Sequence, residues 1–208
     1  TDVWIARGDL MSHKSPFGMI VQILRRAADL RDNEPNDVQT GKLVARVARS
    51  VSAPDHLRIA EFLGEIVGVP FPDDGSPKLR HARSDTMLMG DQMRRAWEDF
   101  VEAECRKNPV LLVLEDMHWG DVPTAKMVEA LLRQRREKPL FVLALARPGA
   151  LAAFPGLLKG PHVMELSLPE LSRRASERLA REILGPDAAP ETIARIVDQA
   201  GGNAFFLE

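Results

Sequence analysis

The stretch "NPVLLVLEDMHWGD", residues 108–121, constrains the fold more than any other. Val110 to Leu114 are five consecutive apolar residues, with no polar position alternating among them. A strand with that pattern is expected to be buried on both sides, and such strands belong to parallel sheets covered by helices. The run ends abruptly in Glu115 and Asp116, followed by His118 and Trp119. "LFVLALARP", residues 140–148, has the same form and ends in Arg147. "HVMELSL", residues 162–168, reads as a shorter third strand, and "DVWIARGD", residues 2–9, as a strand at the start.

Helical patterns fill the intervals. In "SPFGMIVQILRRAADL" Ser15 suits an N-cap and Pro16 the first helical position, with Phe17, Ile20, Leu24 and Ala27 on one face. "TGKLVARVARSV" and "APDHLRIAEFLGEIVG" give two more helices, the latter stopped by Gly68 and Pro70. "PFPDDGSPKLRHARSDTML" lacks periodicity and reads as an exposed loop. Periodicity returns from Asp91 to Arg106, and again in "DVPTAKMVEALLRQRREK", where Asp121 is the expected cap and Met127, Val128, Leu131 and Leu132 point inward. Strands alternating with helices predict an α/β fold with a parallel sheet covered on both faces. From Ser172 onward there are two narrow-striped helices, with Ala175, Leu179, Ile183, Ile193, Ile196 and Val197 apolar. The expected division is a core over 1–167 and a helical subdomain over 168–208.

Composition narrows the classes. A length of 208 residues suits one medium domain with a small appendage. A net charge of −2 gives no electrostatic reason to expect nucleic acid or an anionic membrane. The run "RQRREK" ends a helix, where cations suit the dipole. No apolar run approaches the ~20 residues that span a bilayer. Cys105, alone, excludes an internal disulfide and favours a reducing, cytoplasmic setting. Its place on an apolar helix face reads as packing.

In open parallel sheets, ligands bind beyond the carboxyl ends of the strands. An acid delivered there can hold magnesium, and its neighbour can orient an attacking water. Glu115 and Asp116 suit those roles, and Arg147 would meet a terminal phosphate. A solvated strand end is the plainer reading of the same residues, and the sequence alone leaves both open. "NDVQTGKL" imitates the phosphate-loop pattern G-x-x-x-x-G-K-[ST]. Asn36 replaces its first glycine and Leu43 its hydroxyl, and no apolar strand precedes it, so it is rejected. His118 could join Asp116 in half a metal site, but His13, His56, His81 and His162 show no ligand spacing. No G-x-S-x-G elbow is present.

The order "LLVLEDMHWGD", "LFVLALARP", "LSLPELSRRASERLAREILG", "GGNAFFLE" resembles the ATPase domain of the signal-transduction ATPases with numerous domains, in the P-loop and AAA-type group. It is most similar to the ATPase region of bacterial serine/threonine kinase fusions, and "GDLMSHKSPFGMIVQIL" resembles that region's second strand and helix. The resemblance implies a three-layer P-loop NTPase-type sheet, truncated so that the phosphate-loop strand and helix are absent, with a helical lid. It implies ATP and magnesium as ligands: Glu115 for the metal, Asp116 for the water and Arg147 as the sensor arginine. Gly202, Asn203 and Ala204 match the segment near the adenine, although Ala204 stands where the family has proline. The acid order also departs from the commoner Asp-then-Glu, which implies slow hydrolysis suited to a switch. In that family the phosphate loop precedes the "DVWIARGD" strand, between the strand of the acids and a neighbour of the arginine strand. The chain is therefore expected to be a piece of a longer signalling protein, with a kinase upstream, helical repeats downstream and self-association of the piece. The alternative is a degenerate relative that keeps the scaffold as a protein-interaction module.

Overall fold

The computed structural model describes residues 1–10, 15–134, 138–154 and 163–207. It is an α/β chain of two compact units, Thr1–Val163 and Met164–Glu208. The larger unit holds a three-stranded parallel sheet in the order β1 (Asp2–Arg7), β2 (Val110–Glu115), β3 (Leu140–Ala144). The register pairs Trp4 with Leu112 and Arg7 with Glu115, and on the other side Leu112 with Val142. The strand that ends in the acids is therefore the central one.

Between β1 and β2 lie α1 (Gly18–Ala27), α2 (Asn36–Ala48), α3 (Asp55–Val67), α4 (Pro77–Arg83) and α5 (Thr86–Lys107); α6 (Val122–Gln134) leads into β3. Both crossovers step the same way across the sheet, and right-handed crossovers that do so put their helices on one face. Ala6, Val110, Leu112 and Leu114 join the helices there in one core with Phe62, Trp97 and Phe100. Trp4 adds to it, stacking on Phe100 at 5.7 Å between ring centroids. Arg46 of α2 grips Glu104 of α5 through both amines, at 2.9 and 2.5 Å, and its guanidinium lies 5.1 Å from the Phe100 ring centroid.

Among the described residues no element covers the opposite face. Val3, Ile5, Phe141 and Leu143 stay 52%, 43%, 65% and 40% exposed. With the partly exposed Leu111 and Val113 of β2 they form an apolar surface across all three strands. The expected cover on both faces is thus corrected to cover on one. The apolar run of β2 needs a second layer, but the connections described supply only the first. Nor is there a gap inside the sheet, because β2 pairs β3 directly.

The two outer edges differ. On β1, Gln22 of α1 donates to the Arg7 carbonyl at 2.8 Å and accepts from the Arg7 amide at 3.0 Å. One turn along α1, Arg26 donates to the Ile5 carbonyl at 2.7 Å. Those groups would otherwise be an open edge inviting another strand. Among the described residues no side chain does the same for β3. There the Leu145 amide bonds back to β2, so by alternation Val142 and Ala144 turn their backbone groups outward.

Other expectations shift. Helix α1 starts at Gly18, behind a left-handed Phe17, so Ser15 does not cap it. The expected loop over 70–88 contains α4, with Pro77 at its start, and the first residues of α5. Asp85 caps α5 by accepting the amides of Met87 and Leu88. Leu132 is 40% exposed rather than inward. The expected strand "HVMELSL" is not one: 163–172 carry no regular structure, and Met164, Leu166 and Leu168 are exposed. The expected strand and helix ends at His162 and Arg135–Glu137 lie outside the described residues, as does His13. "NDVQTGKL" lies inside α2, where it cannot form a phosphate loop.

The smaller unit packs α7 (Arg173–Leu184) on α8 (Pro190–Ala200) around Ala180, Ile193, Val197, Ala200 and Leu207. Arg173 bonds Asp198 across the pair at 2.6 Å. Ile183, expected inside, is 46% exposed. No helix among the described residues is long and apolar enough to cross a membrane.

One-sided cover has a measurable consequence. Leu112→Ala should cost about 2–5 kcal/mol in urea unfolding, whereas Phe141→Ala on the bare face should stay within about 0.5 kcal/mol. A second prediction concerns pH. Burial pushes the Glu104 carboxyl up, but Arg46, Ser50 and Lys107 outweigh it and hold it below the usual carboxylate value. The stability it contributes is therefore present above the ordinary carboxylate range and is lost as pH falls through the depressed folded value. Arg46→Ala should cost about 3–5 kcal/mol near neutrality, and the gap from wild type should narrow on acidification, as followed by urea midpoints.

Candidate functional site

The carboxyl ends of the three strands form the rim where a ligand of a parallel sheet is expected. At β2 the chain turns sharply. Asp116 adopts the left-handed conformation, φ 50° and ψ 41°, uncommon for a residue with a side chain. The turn is fastened by backbone bonds: the Trp119 amide donates to the Asp116 carbonyl at 2.8 Å, and the Met117 amide to the Leu145 carbonyl beyond β3 at 2.8 Å. Gly8, just after β1, donates its amide to the Glu115 carbonyl at 2.8 Å. A Cβ on Gly8 would sit 2.3 Å from the Asp116 carbonyl oxygen, so only glycine allows the two strand ends this close.

This packing brings Arg7 to the acids. Arg7 donates from Nε to Asp116 Oδ2 at 2.7 Å, and Asp116 holds the guanidinium above its usual value by hydrogen bond and charge. Arg7 and Glu115 are Cα partners and lie on the bare side of the sheet with Ile5 and Val113. Glu115 is partly exposed, and among the described residues its carboxylate accepts no hydrogen bond. Of the two acids at the end of β2, Glu115 is therefore free and Asp116 is tied to a cation.

Asp121 braces the rim from below. Its Oδ1 accepts the Thr124 amide at 2.7 Å and the Phe17 amide at 2.8 Å, and its Oδ2 accepts the Thr124 hydroxyl at 2.7 Å. The cap expected at Asp121 is thus present, and the same carboxylate also pins the left-handed start of α1. The bond to Phe17 crosses more than a hundred residues and leaves no local sequence signal. The Gln22–Arg7 bonds and the Arg7–Asp116 pair are hidden for the same reason.

Arg147 lies at the turn after β3, on the same rim, exposed, with no side-chain partner among the described residues. Glu115 and Asp116 are thus joined by Arg7, which the sequence reading did not single out, rather than by Arg147. Gly202, Asn203 and Ala204 belong to the smaller unit. Gly202 has φ 83° and presses on Leu171, whose amide donates to the Gly202 carbonyl at 2.8 Å. Asn203 accepts the Phe205 amide at 3.1 Å, capping a short turn that leaves Phe205 and Phe206 exposed.

His118 packs its ring 5.1 Å from that of Trp119, and both ring nitrogens are shielded from water without a hydrogen-bond partner among the described residues. No group of three or more His, Cys, Asp or Glu among the described residues is arranged to hold a metal. Cys105 is buried, and burial pushes its thiol up, away from the reactive thiolate.

Magnesium takes oxygen ligands and commonly uses one or two carboxylates together with substrate phosphates. Glu115, free at the rim beside Asp116, fits that ligand set. Comparison of the chain with models of known protein families, with curated proteins and with solved structures finds no match.

The brace predicts its own cost. Asp121→Ala removes a cap and strands the shielded amide and hydroxyl of Thr124, so it should lower stability by about 2–3 kcal/mol. Urea unfolding would measure this, and a loss under about 0.5 kcal/mol would contradict the bracing role.

Proposed function

We propose that the larger unit is part of a P-loop-type ATP-binding switch of a multidomain signalling protein. The observation that carries this reading is the rim: the central parallel strand ends in Glu115 with Asp116 in the turn just beyond it, and the turn after the neighbouring strand carries Arg147, all at the carboxyl edge. In this reading Glu115 holds magnesium, Asp116 orients the water and Arg147 meets the terminal phosphate. Bound magnesium neutralises charge on the transferring phosphoryl group.

The unfinished side of the sheet supports the same reading. Gln22 and Arg26 bond the Arg7 amide and carbonyl and the Ile5 carbonyl at the edge of β1, while among the described residues no side chain bonds the edge of β3, beside the exposed apolar face. A further parallel strand along β3, with its helix crossing to the bare face, would fill both. A strand and helix of that kind are what a phosphate loop joins. Its place in the proposal is accordingly the outer edge of β3, and not between the strand of the acids and a neighbour of the arginine strand, which the family resemblance implies. Absent that element, the bare face gives a physical reason for the chain to self-associate.

A second reading, a scaffold that binds protein and not nucleotide, draws on the Arg7–Asp116 pair, which occupies the acid assigned to the water. ATP binding and turnover in the intact protein separate the two. The switch predicts magnesium-dependent ATP binding, turnover well below ~10 per second, a loss of metal dependence in Glu115→Gln, and turnover lost with binding kept in Asp116→Asn. No ATP binding by the intact protein would leave the scaffold reading.

A further inference from the structure

Arg7 has no task in the proposal above, yet it holds one of the two acids that proposal needs. We propose that Arg7 is a phosphate-responsive latch, whose guanidinium exchanges Asp116 for an oxygen of a bound polyphosphate and so frees the acid only when the anion is present. The inference rests on the nucleotide reading of the rim and adds its regulation.

The pair is built to exchange. Its side chains are 70% and 35% exposed, and ion pairs this open to water contribute little to folding. Parting them therefore costs the fold little. Both backbones stay fixed while the side chains move. Gln22 holds the amide and carbonyl of Arg7, and the Asp116 turn is clamped by Gly8, Trp119 and the segment after β3.

The direction of exchange follows from charge. A guanidinium binds phosphate through two parallel hydrogen bonds, whereas it meets Asp116 through Nε alone and feels Glu115 and Asp9 only through their charge. At the β1 end of the rim, away from the turn that carries Arg147, the charges of Asp9, Glu115 and Asp116 would repel the same anion. Arg7, the Cα partner of Glu115, stands where it offsets that repulsion. Before the anion arrives it pairs with Asp116 Oδ2 instead, which ties that carboxylate to the end of β1.

The test uses the 208-residue chain, metal-free, with inorganic tripolyphosphate as the probe. The Arg7 Nε–H resonance should be resolved, and Asp116→Asn should shift it. Millimolar tripolyphosphate should move it toward its position in Asp116→Asn while the phosphorus lines of the probe broaden. Arg7→Ala, with an unchanged amide spectrum, should weaken the broadening about tenfold, a difference of about 1.4 kcal/mol. Arg7→Lys, which keeps the charge without the planar fork, should fall between.

Broadening with an unmoved Arg7 resonance would overturn the latch and leave the nucleotide reading standing. No broadening at all would overturn the latch as well. A moved resonance alongside an intact protein that binds no ATP would keep the latch as an anion switch and remove the nucleotide reading.

Discussion

The sheet depends on β2 being held between two parallel neighbours while, among the described residues, helices cover only one of its faces. Leu112 and Leu114 are driven into the helical layer, and their burial fixes the strand's depth and register. Once that register is set, Glu115 and Asp116 must emerge at the carboxyl edge, beside the end of β1 and below the turn after β3. The apolar run so conspicuous in the sequence is what positions the acids.

Charge at that edge is arranged in two tiers. Asp121 commits its carboxylate to backbone amides and a hydroxyl, which makes it a structural brace joining α6 and the start of α1. At the rim, Glu115 is free and Asp116 is paired with an exposed arginine. The buried tier is costly to disturb, because its partners would be left without water or protein to bond. The exposed tier is cheap to rearrange. A site that must hold its shape while exchanging ligands needs this division between rigid support and labile surface pairs.

Features with local causes were legible in the sequence. The strands at β2 and β3 declared themselves by unbroken apolar runs, α3 by its Gly68 stop, and α6 by an aspartate three residues before Thr124. Where the reading failed, the deciding partner lay far away or was missing. "HVMELSL" alternates well enough for a strand, but no described neighbour pairs with it, and propensity cannot supply one. The 70–88 segment looked like a loop because proline and charge are common there. Pro77 at a helix start and Asp85 as a cap are just the places where such residues favour helix. The acids were found, but Arg7 was not, because its bond to Asp116 spans 109 residues. Burial on both faces was inferred from the unbroken apolar run and the alternation of strands with helices, and such a pattern records what a strand can tolerate rather than what covers it.

The most direct test of the central claim is electron paramagnetic resonance of manganese, a stand-in for magnesium, titrated with ATP into the intact protein. The account predicts that wild type removes the free-manganese signal in an ATP-dependent manner and that Glu115→Gln restores most of it. Equal loss of signal in wild type and Glu115→Gln, or none in either, would contradict it.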